Sequence, residues 1–434
     1  MSDLLAARSQ MAMSLGFHIL FAVVGIGMPL LMVMAERKFI KTGDPIFLDL
    51  AKRWSRGTAI VFAVGAVSGT MLSFELGLLW PEFMRWAGPV IGMPFSLEGF
   101  AFFLEAIFLG IYLYGWDKLS PRKHLWSGIG VMLCGVLSGI FVITANAWMN
   151  APTGFDMVDG VVTAIRPFEA MMGPAAFTQT LHMTVASFAA IGFLTAGIHA
   201  AVLRRKPNSR FHLEAYKIAL FVGAVASVPV AISGDLSAKH IAEYQPIKLA
   251  AAEGHWETSK GAAFRIFGFP DEDTETTPGS IEIPGLLSFL AHGDFDAEVI
   301  GLKSVPPEDR PPVAIVHWAF QIMVGCGSLM IAVGLFGLFV WWRRKKPPTS
   351  RIYLRIMTLC APLGFIAIEA GWTVTEVGRQ PWIVHGIMRT KDAVTPMPGL
   401  VVPFLVVSAL YLMLGIMVIV LLRRHVFSSP DADG

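Results

Sequence analysis

The stretch IAIEAGWTVTEVGRQPWIVHGIMRT, residues 366–390, starts as an apolar segment suited to a membrane and ends in GRQPW at residues 378–382. It carries two carboxylates seven residues apart, Glu369 and Glu376. An unpaired carboxylate at the edge of hydrocarbon is costly, so each one needs a physical reason. The simpler interpretation is that Glu376 forms a helix-end ion pair with Arg379 at i,i+3 spacing. The alternative is that Glu376 ligates or serves a cofactor.

The composition identifies the chain as a membrane protein. Of 434 residues, 54% are hydrophobic and 15% are charged, whereas soluble domains carry about 25% charged residues. The net charge of +2 arises from short basic clusters between apolar segments, which do not form the basic face that nucleic acid requires. Cys134, Cys326 and Cys360 lie in apolar runs without metal-site spacing.

Nine apolar runs are long enough to cross a bilayer about 30 Å thick. They lie at residues 13–36, 57–80, 94–116, 125–148, 178–203, 216–234, 313–342, 352–373 and 400–422. We therefore predict an all-α integral membrane protein with nine transmembrane helices. Basic residues cluster after helices 1, 3, 5, 7 and 9 and are sparse after helices 2 and 4. The positive-inside rule then predicts an outer N-terminus and a cytoplasmic C-terminus.

One long loop, residues 235–312, separates predicted helices 6 and 7 and lies on the outer face by helix parity. Its apolar and aromatic residues, such as Trp256, Phe264 and Leu287, predict an ordered loop. The chain is thus divided into helices 1–6 at 1–234, the loop at 235–312, and helices 7–9 with GRQPW at 313–434.

Histidine is unusual inside a membrane, and two apolar runs contain one near the outer end, His18 and His182. A lone membrane histidine more often hydrogen-bonds a neighbouring helix than binds a metal. Met323 lies at a similar depth in helix 7, where methionine is by default a packing residue. A histidine and a methionine at one depth would, however, make a six-coordinate low-spin haem iron.

Carboxylates form a second group of intramembrane polar residues. Glu98 and Glu105 share one face of helix 3 and are separated by roughly 10.5 Å along its axis. Such a pair favours a proton path over an inter-helix hydrogen-bonding pair, and Ser138 on helix 4 would extend it inward. Trp372 and Glu376 are i,i+4 neighbours and therefore touch. An indole beside a buried acid is common in interfacial anchoring, and it is also what a haem pocket or an electron path would supply.

Taken in order, these segments resemble subunit I of the cytochrome bd-type quinol oxidases along essentially the whole chain. The strongest motif is GRQPW at 378–382, preceded by EAGW at 369–372. The other matching segments are GFH at 16–18, EGFAFFLE at 98–105, ANAWMNAPTG at 145–154 and KLAAAEGHWET at 248–258. Nine helices, an outer N-terminus and a long loop between helices 6 and 7 also fit that family.

The resemblance implies the haem ligands. His182 and Met323 match the axial pair of a low-spin haem b that takes electrons from quinol. His18 and Glu376 match the ligands of two high-spin haems, one of b type and the other normally d. Glu98 matches a second haem-associated acid.

The resemblance also implies the surrounding residues. Trp372 matches a tryptophan placed between haems, and Arg379 would lie near haem propionates, which a guanidinium fork suits. Lys248 and Glu253 match loop residues implicated in quinol oxidation, so the loop at 235–312 corresponds to the family's Q-loop.

The implied reaction is the oxidation of quinol at the outer face and the reduction of O2 to water. Protons would arrive from the cytoplasm through Glu105, Ser138 and Glu98, which generates a proton motive force without a pump. The cofactors would be two haem b, one low-spin and one high-spin, with either one haem d or a third haem b. Two alternatives remain open: a haem-b quinol dehydrogenase that passes electrons to a partner, and a proton-coupled transporter.

Two features depart from other family members. Some members carry Arg two positions before the axial methionine, where this chain has Gln321. The short Q-loop resembles the cyanide-insensitive branch, in which haem b can replace haem d. The expected partners are subunit II, small single-helix subunits, ubiquinol or menaquinol, O2 and the lipid of a bacterial cytoplasmic (inner) membrane, with no nucleic acid.

Overall fold

Long helices surround a central helix, α1. The computed structural model describes residues 1–158 and 161–427, and in these residues nine helices are long and apolar enough to cross a membrane. This count confirms the nine predicted spans. The helices are α1 (Asp3–Thr42), α2 (Pro45–Leu79), α3 (Pro81–Tyr114), α4 (Pro121–Asn150), α5 (Pro167–Met171), α6 (Ala176–Leu203), α7 (Arg210–Tyr244), α8 (Pro246–Glu253), α9 (Leu286–His292), α10 (Val313–Arg344), α11 (Arg351–Cys360), α12 (Leu363–Val377), α13 (Thr390–Ala393) and α14 (Val401–Leu422).

Local sequence explains the junction between the first two helices. α1 ends at Gly43, which adopts a φ of 70° that favours glycine. Asp44 then caps α2 by accepting the Ile46 N–H at 3.2 Å. Pro45 occupies the first helical position, where its missing N–H is not needed. Two antiparallel helices are thereby joined in very few residues.

Two helices differ from their predicted bounds. α7 continues to Tyr244, so the first ten residues of the predicted loop at 235–312 are helical, and α8 follows at once. The eighth predicted span, 352–373, is divided into α11 and α12 around Pro362. Proline lacks the N–H that a continuous helix would use there, so the chain starts a new helix instead.

The core is built on α1, which packs against α2, α4, α6 and α14. Its residues Val23, Leu31 and Met32 are fully buried. α6 and α7 form another close pair, since a Cβ placed on Gly192 would lie 2.3 Å from the backbone nitrogen of Gly223. These contacts hold the helices at a separation that larger residues would prevent.

Short antiparallel ribbons lie outside the bundle. In the described part of the chain, β1 (Asp156–Val158) pairs with β2 (Val161–Thr163), β3 (Ser259–Lys260) with β6 (Glu298–Val299), β4 (Phe264–Ile266) with β5 (Ile281–Ile283), and β7 (Trp382–Val384) with β8 (Met388–Arg389).

The loop after α7 is ordered, as its composition predicts. Its ribbons β3–β6 and β4–β5 pack with α8 and α9 over a small cluster in which Leu249, Leu287 and Val299 are buried. Trp256 is buried as well, whereas the aromatic side chains of Phe267 and Phe269 are exposed. The loop therefore has its own small core and lies as a cap next to α7 and α10.

Candidate functional site

His18 and His182 are held in the same way by serines of neighbouring helices. His18 Nδ1 lies 2.9 Å from Ser68 Oγ on α2, and His182 Nδ1 lies 3.0 Å from Ser233 Oγ on α7. Each serine O–H donates at 3.1 Å to the carbonyl oxygen three residues earlier in its own helix. Each serine oxygen must therefore accept from an Nδ1–H, which leaves the Nε2 lone pair free for a metal.

Glycines lie beside both imidazoles. A Cβ placed on Gly69 would lie 2.9 Å from His18 Cε1, and one placed on Gly234 would lie 3.5 Å from His182 Cε1. A larger residue at position 69 would press on the His18 ring, whereas a Cβ at position 234 would make only an ordinary van der Waals contact with the His182 ring. The helix that carries each serine thus also packs a glycine against the same imidazole.

Met323 extends from α10 to the surface of α12. A Cβ placed on Gly371 would lie 3.0 Å from the Met323 sulfur. The neighbouring Trp372 has a buried indole N–H that lacks a hydrogen-bond partner among the described residues, and the buried Glu369 Oε1 lacks one as well. Unsatisfied buried polar atoms are rare in folded proteins. A further group bound beside α12 would supply partners for these two atoms.

Glu376 has two partners at the end of α12. Arg379 donates from Nη2 to Glu376 Oε2 at 2.5 Å, and the Asn146 side chain donates to Oε1. The helix-end ion pair expected from i,i+3 spacing is therefore present. Arg379 is 3% exposed, yet its Nε and Nη1 have no hydrogen-bond partner in the part of the chain that the structure describes. Two buried guanidinium N–H groups left open fit a carboxylate such as a haem propionate.

A buried polar chain connects Glu376 with the loop. Asn146, whose side chain donates to Glu376, accepts from Asn150 Nδ2 on both its backbone and side-chain oxygens, at 2.9 and 3.0 Å. Asn150 Oδ1 in turn accepts from Lys248 Nζ at 2.5 Å, and its backbone oxygen accepts from Gln245 at 2.9 Å. The structure thus brings Lys248 and Glu376 into one hydrogen-bonded network, although 128 positions separate residues 248 and 376.

Lys248 and Glu253 lie on the short helix α8 and are both buried. Burial, reinforced by the charge of Arg379, holds the pKa of Lys248 well below its usual range. Burial also raises the pKa of Glu253 to about 8, although the Arg265 N–H donates to it at 3.4 Å. Burial therefore opposes the charged form of both groups, which lowers the pKa of the amine and raises the pKa of the carboxyl.

The two acids of α3 lie in different surroundings. Ser138 donates to Glu98 at 3.2 Å. This serine therefore lies beside Glu98, and the expectation that it extends the path beyond Glu105 is wrong. Glu105 is 4% exposed. Cβ atoms placed on Gly25 and Gly135 would lie 3.6 and 3.3 Å from Glu105 Oε1. Glu105 is thus enclosed between α1 and α4 by backbone and small residues.

Gln321 connects α10 with the loop. Its side chain donates to the Arg265 carbonyl at 2.8 Å and accepts from the Phe267 N–H at 3.2 Å. Both amide groups of Gln321 are therefore used on the end of β4. Gln321 is therefore a tether for the loop, two positions before Met323.

Sequence reasoning missed three sets of buried polar residues. Asn146 and Asn150 lie in the quoted segment 145–154, but no periodicity shows that they face Glu376 and Lys248. A second set is Glu75, which accepts from Gln10 and Ser14 at 3.0 Å each. Glu75 interrupts the apolar run 57–80, which is the signal that was available.

The third missed set lies at the opposite end of α1. His124 Nδ1 contacts Glu36 Oε1 at 2.7 Å and His124 Nε2 contacts the Tyr112 carbonyl at 2.9 Å. Both ring nitrogens thus lie within hydrogen-bond distance of oxygen atoms, and the imidazole and the Glu36 carboxyl group are both buried. Glu36 sits in a charged cluster at the helix end, where sequence alone suggests an exposed residue.

Comparison with known proteins gives consistent matches over the whole chain. A family model described as cytochrome bd terminal oxidase subunit I matches residues 6–430. The putative cytochrome bd menaquinol oxidase subunit I of Bacillus subtilis is 37% identical, with 100% of this chain and 99% of the relative covered. The cytochrome bd ubiquinol oxidase subunit 1 of the same organism is 35% identical, with 100% and 95% covered. The structure of bd oxidase from Geobacillus thermodenitrificans matches with a TM-score of 0.92 and 38% identity, covering 99% of each chain.

Proposed function

The chain belongs to the cytochrome bd terminal oxidase subunit I family, and from that premise we propose which of its residues bind haem, oxidise quinol and deliver protons. The protein is the subunit I of a quinol:O2 oxidoreductase and contains haem. Neither the transporter nor the electron-passing dehydrogenase is supported by these relatives.

The observation that carries the haem assignment is the matched pair of serine-supported histidines. His182, with Met323, would hold the low-spin haem b, and His18 would hold one high-spin haem. In both histidines the serine selects the tautomer whose Nε2 is free for iron, as outer-shell partners of metal ligands do. When bound, the haems supply electron transfer and the reduction of O2.

Glu376 would ligate the second high-spin haem, with Glu98 as an associated acid and Trp372 between the haems. The open N–H groups of Arg379 would bind propionate there. A haem on Glu376 would exchange the contact with Asn146 for a metal contact, while Arg379 would still neutralise the carboxylate. We propose two haem b with one haem d, or three haem b.

Quinol would be oxidised beside α8. A buried amine whose pKa is lowered can accept a proton from a quinol hydroxyl, which assigns that step to Lys248. Glu253 would take the second proton, since its raised pKa of about 8 makes it a stronger base than an exposed carboxylate. Related subunits are named for menaquinol and for ubiquinol, and either quinol fits this chemistry.

Protons for water would come from the cytoplasmic side through Glu105 and then Glu98 with Ser138. The contact between Ser138 and Glu98 supports a step at that acid. Protons released outside and consumed from inside separate charge without a pump, and each charge moved stores about 2.3 kcal/mol per 100 mV.

The proposed setting is the bacterial cytoplasmic (inner) membrane, with the N-terminus outside and the C-terminus inside. Subunit II is the family's regular partner, and small single-helix subunits would complete the complex. Several apolar side chains along α3 are exposed, among them Phe100, Phe103 and Ile107. Lipid or these partners would cover this surface.

A dithionite-reduced-minus-oxidised spectrum of the purified complex, with pyridine haemochrome analysis and a CO difference spectrum, tests the haem assignment. A CO-reactive haem d beside two b haems, or three b haems with CO reactivity, agrees with the proposal. His182→Ala should remove the low-spin signal and retain CO binding. A low-spin signal that survives in this variant contradicts the axial assignment.

A further inference from the structure

Four arginines line a cleft between the end of α6 and the start of α11. The cleft has a volume of about 510 Å³. Its lining residues are Ala201, Arg204, Arg205, Arg351, Arg355 and Thr358. None of them belongs to the proposed haem, quinol or proton machinery.

The charge of this cleft is not compensated within the described part of the chain. No ion pair of the described residues involves any of the four guanidinium groups, whereas Arg166, Arg210 and Arg310 elsewhere each contact a carboxylate. Like charges gathered in one cleft repel one another. An anion that binds several of them at once would relieve this repulsion, and arginine is the residue whose fork suits phosphate oxygens.

The helix α11 presents three parallel stripes. Arg351, Arg355 and Thr358, at i, i+4 and i+7, face the cleft. The stripe one position further, Ile352, Ile356 and Leu359, is apolar and exposed at 75%, 39% and 68%. The third stripe, which includes Tyr353 and Met357, is buried against the bundle. A face with two arginines therefore runs directly beside an exposed apolar face.

The opposite wall of the cleft is fixed by close helix packing. A Cβ placed on Gly197 of α6 would lie 2.6 Å from Ala361 Cβ and 2.8 Å from the Met357 carbonyl. One turn further along α6, Ala201 lines the cleft, and Arg204 follows at the helix end. Arg351 and Arg355 are thus carried by α11 itself, whereas Arg204 and Arg205 follow directly after Leu203, the last residue of α6.

We propose that this cleft binds the phosphate headgroup of an anionic phospholipid whose acyl chains lie along Ile352, Ile356 and Leu359. The two faces match the two chemical parts of one lipid. Basic clefts between transmembrane helices are suited to such headgroups, and each basic residue adds to the affinity. A free phosphate ion would use the arginines but not the apolar stripe.

The test measures lipid binding to the whole purified oxidase after delipidation in detergent, by native mass spectrometry. The probes are dioleoyl phosphatidylglycerol, dioleoyl phosphatidylcholine and inorganic phosphate. R351Q/R355Q should bind phosphatidylglycerol about 10- to 30-fold more weakly than the wild type. The matched control, R343Q/R344Q, removes two exposed charges at the end of α10 outside the cleft and should change binding less than about 3-fold.

R204Q/R205Q, on the other wall of the cleft, should weaken phosphatidylglycerol binding as much as R351Q/R355Q does. This second variant keeps the proposal testable if the first one folds poorly. An unchanged haem spectrum shows that a variant is folded. Equal losses in the cleft and control variants would show a general surface-charge effect and overturn the proposal. Phosphate that binds as tightly as phosphatidylglycerol, or phosphatidylcholine that binds equally well, would also overturn it.

Discussion

Asn150 joins the loop to the membrane helices, and its replacement gives the sharpest test of the buried polar network. Its side chain accepts from Lys248 Nζ at 2.5 Å and donates to both oxygens of Asn146. Asn146 and Asn150 lie one turn apart on α4, Lys248 lies on α8, and Asn150 is 2% exposed. Water therefore cannot replace the contacts that Asn150→Leu would remove.

The expected loss follows from the groups that are left unpaired. In Asn150→Leu, the Lys248 amine loses its acceptor and the Asn146 oxygens lose their donor. A buried unsatisfied group costs about 1–3 kcal/mol, and a charged one more. We therefore expect the free energy of unfolding to fall by about 3–5 kcal/mol.

A double variant isolates the contact with Lys248. The double variant Asn150→Leu/Lys248→Met removes the amine together with its acceptor, which can be nearly neutral for that contact. A coupling of about 2 kcal/mol between positions 150 and 248 should result.

The assay is SDS-induced unfolding of the purified complex in mixed micelles, followed by tryptophan fluorescence. Stability does not depend on turnover, so the proposed quinol role of Lys248 leaves this readout unaffected. A double variant as unstable as the sum of the two single variants would show no coupling. That outcome would refute the contact between Lys248 and Asn150 as a stabilising interaction.

Three other perturbations test separate parts of the site. Ser233→Ala should weaken retention of the low-spin haem by about 10- to 100-fold, because the tautomer of His182 is no longer selected. The reduced-minus-oxidised spectrum measures this loss. Ser233→Thr, which keeps a hydroxyl, serves as the control. Glu105→Gln should slow turnover while quinol-reduced haem spectra stay intact, and normal turnover measured as O2 consumption would exclude Glu105 from the proton route. The pKa of Glu253 is raised from 4.5 to about 8, so the carboxyl is protonated below that pH and becomes a proton acceptor above it. Quinol oxidation should therefore rise as pH passes through about 8, and a rise that persists in Glu253→Gln would assign the titration to another group.

Membrane character, nine spans and the subunit I family could all be predicted from the sequence. Each span is a local property, since about 20 consecutive apolar residues suffice to define it. The candidate residues His18, His182 and Met323 were predicted because polar or ligating side chains stand out inside an apolar run. The outer position of the N-terminus and the role of each residue stay predictions.

The contacts between helices were decided by tertiary structure alone. Helical periodicity shows which residues share one face of one helix. It does not show how far a neighbouring helix is shifted or rotated relative to that face. The serine behind each histidine is 50 or 51 positions away in the chain. That Arg204 and Arg351 line the same cleft likewise cannot be predicted from the sequence, because only the packing of α6 and α11 brings them together.

The sequence by itself thus determined the kind of protein and the number of spans, and it supplied a proposal for the haem ligands. The tertiary structure decided that Asn146 and Asn150 connect Glu376 with Lys248. It also decided that four arginines without an ion pair to any described residue meet beside an apolar stripe. The physical reason is that burial of an apolar run depends on local composition, whereas a hydrogen bond or an ionic cleft depends on the relative position of side chains from several helices to within about 1 Å.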